Sequence, residues 1–342
     1  MQSNPTFELP AIAVDLHGLT LSFQTAEPLL QHRFQTVYGH LPRAGRQSRP
    51  AGDTLRIEWQ LTSADIAPWP PPDLPVLSAR ELISYYGDSD KVTIRLPRYA
   101  LLTVDLRQRQ VGGVVTRHCL EVYGAFEDVM MISLAPLYRR RGWFPLHAFA
   151  ALAPHGRVAL ITGQMGSGKT TTGLALLSAG WKLLSNDSPL LTGQSQQIQV
   201  LAYPGQLSAF DDALARFEHL QKFIPAQAGQ NSDASQKRVF RAETAFADPW
   251  AVSGVAGGVF LPRVAPGLAQ SELIPVGPKA ALLALMPQAI EGWDKALVGP
   301  TLQILRQLVE QVPCYTLNLS PAVEQLPELI AGGMLRRLAA SR

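Results

Sequence analysis

The chain is short of cysteine, short of charge and short of long apolar runs, and each shortage excludes a class of protein. Two cysteines in 342 residues, Cys119 and Cys314, cannot build a disulfide framework or a four-cysteine zinc site. They fit a reducing, cytoplasmic compartment. Charged residues make up only 17%, with 30 Lys+Arg against 27 Asp+Glu, which is not the composition of a disordered polyelectrolyte. A net charge of +3 is too small to call for nucleic acid as a partner. No stretch approaches the ~18 uninterrupted apolar residues of a membrane span, so no membrane association is expected. The opening MQSNPTFELP has no basic start followed by an apolar stretch, so no secretory signal is expected.

What the chain does have is 46% hydrophobic residues, enough for a sizeable core, together with 27 Gly and 27 Pro. That Gly and Pro content suits many short elements joined by turns. The length predicts roughly two domains of about 100–200 residues. Residues 41–53 and 67–76 read as loops, and the Pro70-Pro71-Pro72 run reads as a stiff linker, since each ring fixes φ and removes a donor. Between the loops lie strand-like runs at Ala11–Asp15, Leu19–Gln24, Thr54–Leu61, Lys91–Leu96, Leu101–Arg107 and Val111–Thr116. Their apolar–polar alternation predicts half-buried antiparallel strands, with one helix near Leu29–Tyr38. Residues 118–140 change to helical spacing through Leu120, Val122, Phe126, Val129, Met130 and Leu134. Arg139-Arg140-Arg141-Gly142 then ends that helix with basic residues and a glycine.

From Trp143 onward strand and helix alternate. Strands are expected at Leu146–Ala153, Arg157–Thr162, Lys182–Asn186, Ser188–Thr192, Ile198–Tyr203, Val255–Leu261 and Cys314–Leu319. Helices are expected at Lys169–Ala179, Ser208–Leu220, from Pro278, across Leu302–Val312 and from Pro321, with a loop over Pro225–Gln236. Pro278, Pro300 and Pro321 are expected near helix starts, where a missing N–H costs nothing. The fold class is therefore α/β, or α+β overall. A β-rich N-terminal domain with a closing helix is expected over 1–142, and an α/β domain over 143–342. The N-terminal domain is a candidate for acceptor or partner recognition.

The chemistry concentrates at Gly163-Gln164-Met165-Gly166-Ser167-Gly168-Lys169-Thr170, a full match to G-x-x-x-x-G-K-[ST]. Arg157–Thr162 is a strand candidate before it, and Thr171 continues into a helix candidate after it. That order lets glycines turn successive N–H groups toward phosphate oxygens, with the helix N-terminus adding partial positive charge. Lys169 would bridge β- and γ-phosphates and the Thr170 hydroxyl would hold Mg²⁺. Asp187, 17 positions beyond Thr170, is the natural acid to hold or orient the metal. It stands in Asn186-Asp187-Ser188-Pro189, which is also good turn chemistry. A right-handed βαβ crossover would place it beside Thr170. Lys237-Arg238 and Arg263 are two further basic positions, each open between a phosphate contact and a solvated charge.

These residues resemble the HPr kinase/phosphorylase-like kinases, whose fold is related to that of phosphoenolpyruvate carboxykinase. The resemblance runs over roughly residues 143–330. It rests on Phe144-Pro145-Leu146-His147-Ala148, on the phosphate loop, on Gly180–Asp187, and on Gly258–Arg263 with the following Ser271–Ile290. It implies a P-loop kinase domain of that type using ATP and Mg²⁺, with Asp187 as acid/base near the acceptor hydroxyl and His147 beside the active site. Two departures stand out. Asn186 occupies the place of the first of two family aspartates. The stretch Ile198–Gly205 lacks the family's Glu and Arg. Both argue against the reverse phosphorolysis and against HPr as the acceptor. The expected activity is transfer of a γ-phosphoryl group to a hydroxyl, first of all Ser/Thr of a protein or peptide. A small-molecule kinase for a sugar or metabolite is the second reading, and a nucleotide-binding regulatory module with little turnover is the third. A homo-oligomer stays open.

Overall fold

The computed structural model describes residues 11–44, 53–64, 72–194, 196–225 and 237–340. The chain divides into two compact units, Met1–Leu137 with Gly292–Asp294, and Tyr138–Glu291 with Lys295–Arg342.

The first unit runs β1 (Ala11–Leu16), β2 (Leu19–Gln24), α1 (Pro28–Tyr38), β3 (Thr54–Thr62), β4 (Val76–Ala79), β5 (Ser84–Gly87), β6 (Lys91–Leu96), β7 (Ala100–Asp105), β8 (Gln110–Thr116), α2 (Arg117–Glu121) and α3 (Ala125–Arg140). Its eight strands form one sheet in the order β1-β2-β3-β8-β7-β6-β5-β4. Alternation along β2 sends Leu19, Leu21 and Phe23 inward. Phe23 stacks on Phe34 of α1 at 4.6 Å and meets Trp59 and Phe126 edge-on at 5.8 and 6.5 Å. An aromatic cluster thus binds α1 and α3 to the sheet. Arg33 and Glu127 tie the two helices together at 3.0 Å.

Three expectations change here. The sheet is mixed, because α1 carries the chain over to β3, which lies parallel to β2 and to β8. Alternation reports one buried face and says nothing of strand direction. Strands β4 and β5 are not among the expected strands; all four residues of β5 are buried, so no alternation marks it. The single helix expected over 118–140 is two. Thr116 caps the first by accepting from the Cys119 N–H at 3.3 Å, and Gly124 at φ +76° turns the chain before the second. Cys119 and Cys314 are both buried and in no disulfide, and burial pushes the Cys119 thiol up to about 12.

The second unit runs β9 (Phe144–Pro145), β10 (Ala148–Leu152), β11 (Arg157–Thr162), α4 (Lys169–Ser178), β12 (Lys182–Ser185), β13 (Leu190–Gln194), β14 (Gln197–Leu201), β15 (Leu207–Ala209), α5 (Asp211–Leu214), β16 (Arg238–Phe240), α6 (Ala242–Ala245), β17 (Ser253–Val264), β18 (Glu272–Pro275), α7 (Pro278–Leu285), α8 (Lys295–Gln311), β19 (Cys314–Leu319) and α9 (Leu326–Ala340). The main sheet has nine strands in the order β12-β10-β11-β17-β14-β13-β9, with β19 also on β17 and β18 on β19. Two apolar cores lie on its two faces. Ile161, Leu174, Phe260, Leu317 and Ile330 join α4 and α9 to one face, and Leu160, Leu285, Ile304 and Leu305 join α7 and α8 to the other. Strand β11 feeds both cores, which is why RVALIT reads as a continuous apolar run.

The strand expected over Leu146–Ala153 is present but shorter, as β10, and the two-residue β9 precedes it, parted from it by Leu146-His147. The helix expected over Ser208–Leu220 is instead β15, the short α5, and a 3₁₀ turn at Glu218–Phe223. Pairing of Leu207 with Phe240 and Ala209 with Arg238 wins over local helical preference there. Pro300 lies inside α8 and not at its start, and the last helix begins at Leu326, past Pro321. The sequence expectations for residues 45–52, 67–71 and 226–236, Pro70 and Pro71 among them, fall outside the described residues. Among the described residues no helix is long and apolar enough to cross a membrane.

Helix α4 packs on β10 through Gly173, where an added Cβ would lie 2.5 Å from the Phe149 ring. That ring is 1% exposed and has nowhere to move. Gly173→Ala should therefore destabilise the chain by about 1–3 kcal/mol, although alanine is the better helix former. A rise in the urea midpoint would contradict this packing.

Candidate active site

Strand β10 runs antiparallel to both β11 and β12 and lies between them. Three chain ends therefore meet at one edge of the sheet. Ala148 at the start of β10 stands opposite Thr162 at the end of β11, and Ala150 stands opposite Ser185 at the end of β12. The phosphate-loop motif leaves β11, His147 leads into β10, and Asp187 follows β12. The expected crossover from β11 through α4 to β12 is present, but it passes over β10.

Backbone and side-chain bonds pin this edge. The Thr162 hydroxyl donates to the His147 carbonyl at 2.8 Å, and the Ala148 N–H donates to the Asp187 carbonyl at 2.9 Å. The His147 N–H donates to the Gln288 carbonyl at 2.8 Å. The Ser185 hydroxyl accepts from the Ser188 N–H at 3.0 Å, shaping the turn that carries Asp187. As a result His147 Nδ1 lies 3.1 Å from Asp187 Oδ1, with the side chains 44% and 47% exposed. An ionised carboxylate only accepts, so this contact puts the hydrogen on Nδ1.

The loop Gly163–Gly168 carries Gln164, Met165 and Gly166 outward, and Met165 is 91% exposed. Gly166 at φ +77° and Gly168 at φ +102° take left-handed backbone. At Gly168 an added Cβ would also fall 2.3 Å from Leu319 Cδ1. Helix α4 starts without a side-chain cap and without an acidic residue in its first turn, which holds Lys169, Thr170 and Thr171. The Lys169 ammonium folds back onto the Gly163 and Gln164 carbonyls. Burial lowers its pKa most; Asp187 raises it and Lys237 lowers it further. The Ser167 hydroxyl is buried with no hydrogen-bond partner.

These features fit a polyphosphate. The Lys169 ammonium held by loop carbonyls, the uncapped first-turn N–H groups and the orphaned Ser167 hydroxyl are donors for an anion, beside a Gly168 with no room for a Cβ. Among the described residues no three His, Cys, Asp or Glu side chains gather into a metal cage. A Mg²⁺ ion would draw one or two ligands from Thr170 and Asp187 and the rest from phosphates and water. Thr170 and Asp187 make no hydrogen bond to each other, so the structure does not join that pair directly.

Other expected residues divide. Arg238 is engaged with Asp211, donating from Nε and Nη2 at 2.8 and 2.9 Å. That pair lowers Asp211 and raises Arg238. Asn186, expected only as a lost carboxylate, donates from Nδ2 to the Gln206 carbonyl at 3.1 Å. Arg263 is exposed on β17, next to Pro262, whose Cδ lies 3.8 Å from the Cβ position of Gly163. Gly168→Ala combines a disfavoured φ with a steric overlap and should cost about 2–4 kcal/mol. Gly168→Ala/Leu319→Ala should relieve only the overlap, so a double variant with loop stability equal to that of Leu319→Ala alone would show that φ is not a constraint.

No protein-family model matches the chain, and no curated protein matches it. Among solved structures, one similar chain is the Hpr(Ser) kinase/phosphatase from Coxiella burnetii, at 12% identity and TM-score 0.32, covering 58% of this chain and 92% of that one. A likeness of that size carries no weight, and the functional reading rests on the geometry of the site itself.

Proposed function

We propose that the chain is an ATP- and Mg²⁺-dependent kinase of the HPr kinase-like, P-loop type that phosphorylates a hydroxyl, with Ser/Thr of a protein or peptide as the acceptor. The observation that carries this reading is the 3.1 Å His147–Asp187 contact at the same sheet edge as the phosphate-loop motif. A phosphate-binding loop alone serves many functions. A loop joined by a carboxylate on a fixed turn, with a histidine holding that carboxylate, suits group transfer to a hydroxyl.

The roles follow from each residue's chemistry. Gly163 to Gly168 present backbone donors, and Lys169 supplies the mobile positive charge. Thr170 and Asp187 would hold Mg²⁺, and Thr171 completes the first turn of α4. Bound ATP with its metal supplies the transferable phosphoryl group and neutralises charge on it. His147 Nδ1–H holds Asp187 through Oδ1, and the carboxylate so fixed would take the proton of an acceptor hydroxyl. Side chains nearly half exposed at Asp187 and His147 favour a large acceptor over a small molecule sealed in a pocket. Asn186 offers no second carboxylate, and its amide is committed to Gln206. The forward kinase reaction is therefore favoured over phosphorolysis.

Removing one charge-assisted contact to phosphate in Lys169→Ala should weaken Mg·ATP binding by about 10–100-fold. Asp187→Asn should keep nucleotide binding and lower transfer by about 10²–10⁴-fold. Calorimetric titration and radiolabel transfer to candidate peptides measure the two separately, and wild-type transfer by Asp187→Asn would remove Asp187 as the base. The lowered pKa of Lys169 adds a pH signature. Its ammonium discharges at lower pH than an ordinary lysine's, so ATP affinity should fall as pH rises into the alkaline range. Lys169→Arg, charged throughout that range, should flatten the profile.

A further inference from the structure

Helix α3 begins in the first unit, and its end, from Tyr138, belongs to the second. That end is buried: Tyr138 is fully enclosed and Arg139 is 6% exposed. An arginine in the last turn of a helix gains from the helix dipole and ordinarily keeps its guanidinium in water. Here Arg139 Nη2 donates to the Ala289 carbonyl at 3.3 Å, away from solvent. The carbonyl one residue earlier, that of Gln288, accepts from the His147 N–H at 2.8 Å. Arg139 and His147 thus hold neighbouring carbonyls at the end of one short 3₁₀ turn, Met286–Gln288. Beside Arg139, the Tyr138 ring meets the Tyr203 ring edge-on at 5.9 Å, and the Tyr203 N–H donates to the Leu184 carbonyl at 3.0 Å. Leu184 lies in β12, shortly before Asp187.

We propose that Arg139 is a positioning residue for the His147–Asp187 pair, acting through the Gln288 and Ala289 carbonyls, an inference that rests on the reading of that pair as a phosphoryl-transfer site. His147 meets Asp187 through Nδ1, so the contact depends on where the His147 backbone stands. Its carbonyl is fixed from β11 by the Thr162 hydroxyl. Its N–H is fixed from the turn at Gln288, which follows α7 and is no part of the sheet. A turn without a cross-strand ladder keeps more freedom to rotate its peptide groups. A charge-assisted bond to the next carbonyl takes that freedom away. Burying a guanidinium carries a desolvation cost, which a bond of this kind offsets. The contacts through Tyr138, Tyr203 and Leu184 run from the same helix end toward the Asp187 turn. One helix end therefore supports both members of the pair.

Arg139→Met keeps an apolar stem and removes the donor. Residue-resolved amide exchange should show the His147 N–H exchanging about tenfold faster, with the Leu176 N–H of α4 unchanged. In phosphoryl transfer to a peptide, kcat should fall about tenfold while Mg·ATP affinity stays within about twofold of wild type. Arg139→Lys, which keeps the charge and a donor, should recover most of both. The wild-type protein gives a reading that needs no variant. Its His147 N–H should be protected and should open together with the Ile290 N–H, which donates to the Met286 carbonyl of the same turn. An unprotected His147 N–H in wild type, wild-type exchange at His147 in folded Arg139→Met, or equal rises at His147 and Leu176 overturns the assignment while leaving the kinase reading in place. Wild-type protein that binds no Mg·ATP, with the His147 amide still freed by Arg139→Met, overturns the kinase reading and the positioning role in transfer with it.

Discussion

Strand β10 runs against both of its neighbours, and the candidate site depends on that reversal. Had β10 been parallel to β11 and β12, its first residues would stand at the far edge of the sheet, a strand length from the phosphate loop. Running the other way, it delivers His147 to the edge where β11 and β12 end. The reversal also explains the tightness of packing behind the site. Phe149 on β10 fills the space that the missing side chain of Gly173 leaves on α4. The helix that opens with Lys169 is thereby held at a fixed distance from the strand that opens after His147.

Electrostatics adds a second layer to this scaffold. Burial disfavours charge on Lys169 and Lys237 increases the penalty, against the attraction of Asp187. The ribbon of β15 and β16 lies outside the main sheet and is held by Leu207, Ala209 and Phe240 in the apolar core with α4 and by the Asn186 bond to Gln206. The Asn186 amide, bonded to the Gln206 carbonyl, and the Ser185 hydroxyl order the turn that carries Asp187.

Legibility in the sequence followed the physics of each signal. The loop Gly163–Thr170 stood out because backbone curvature and anion donors demand small residues and a lysine at fixed spacing. Strand β11 and helix α4 stood out because apolar residues with opposite periods flank that loop. Contacts between strands distant in the chain carried no such local mark. Nothing in the spacing of His147 and Asp187 reveals an antiparallel strand between β11 and β12; only the resemblance pointed to their shared neighbourhood. The Ser208–Leu220 segment misled because Ala and Leu favour a helix locally, while Leu207 and Ala209 gain more by pairing with β16. The split at Tyr123-Gly124 was visible in principle, since a glycine at positive φ after a capped turn is a break signal.

The fold-back of Lys169 onto the Gly163 and Gln164 carbonyls has a consequence for how any ligand enters. The loop in its resting form already supplies this lysine with two acceptors, so an arriving phosphate displaces internal bonds and does not simply add new ones. Binding becomes an exchange in which the enthalpy gained at phosphate oxygens is offset by carbonyls that must find other donors. Such a loop rewards a ligand with enough acceptors to replace both lost partners. A lone carboxylate or chloride would gain little from opening it, so two carbonyl bonds to one lysine would act as a filter for polyvalent anions.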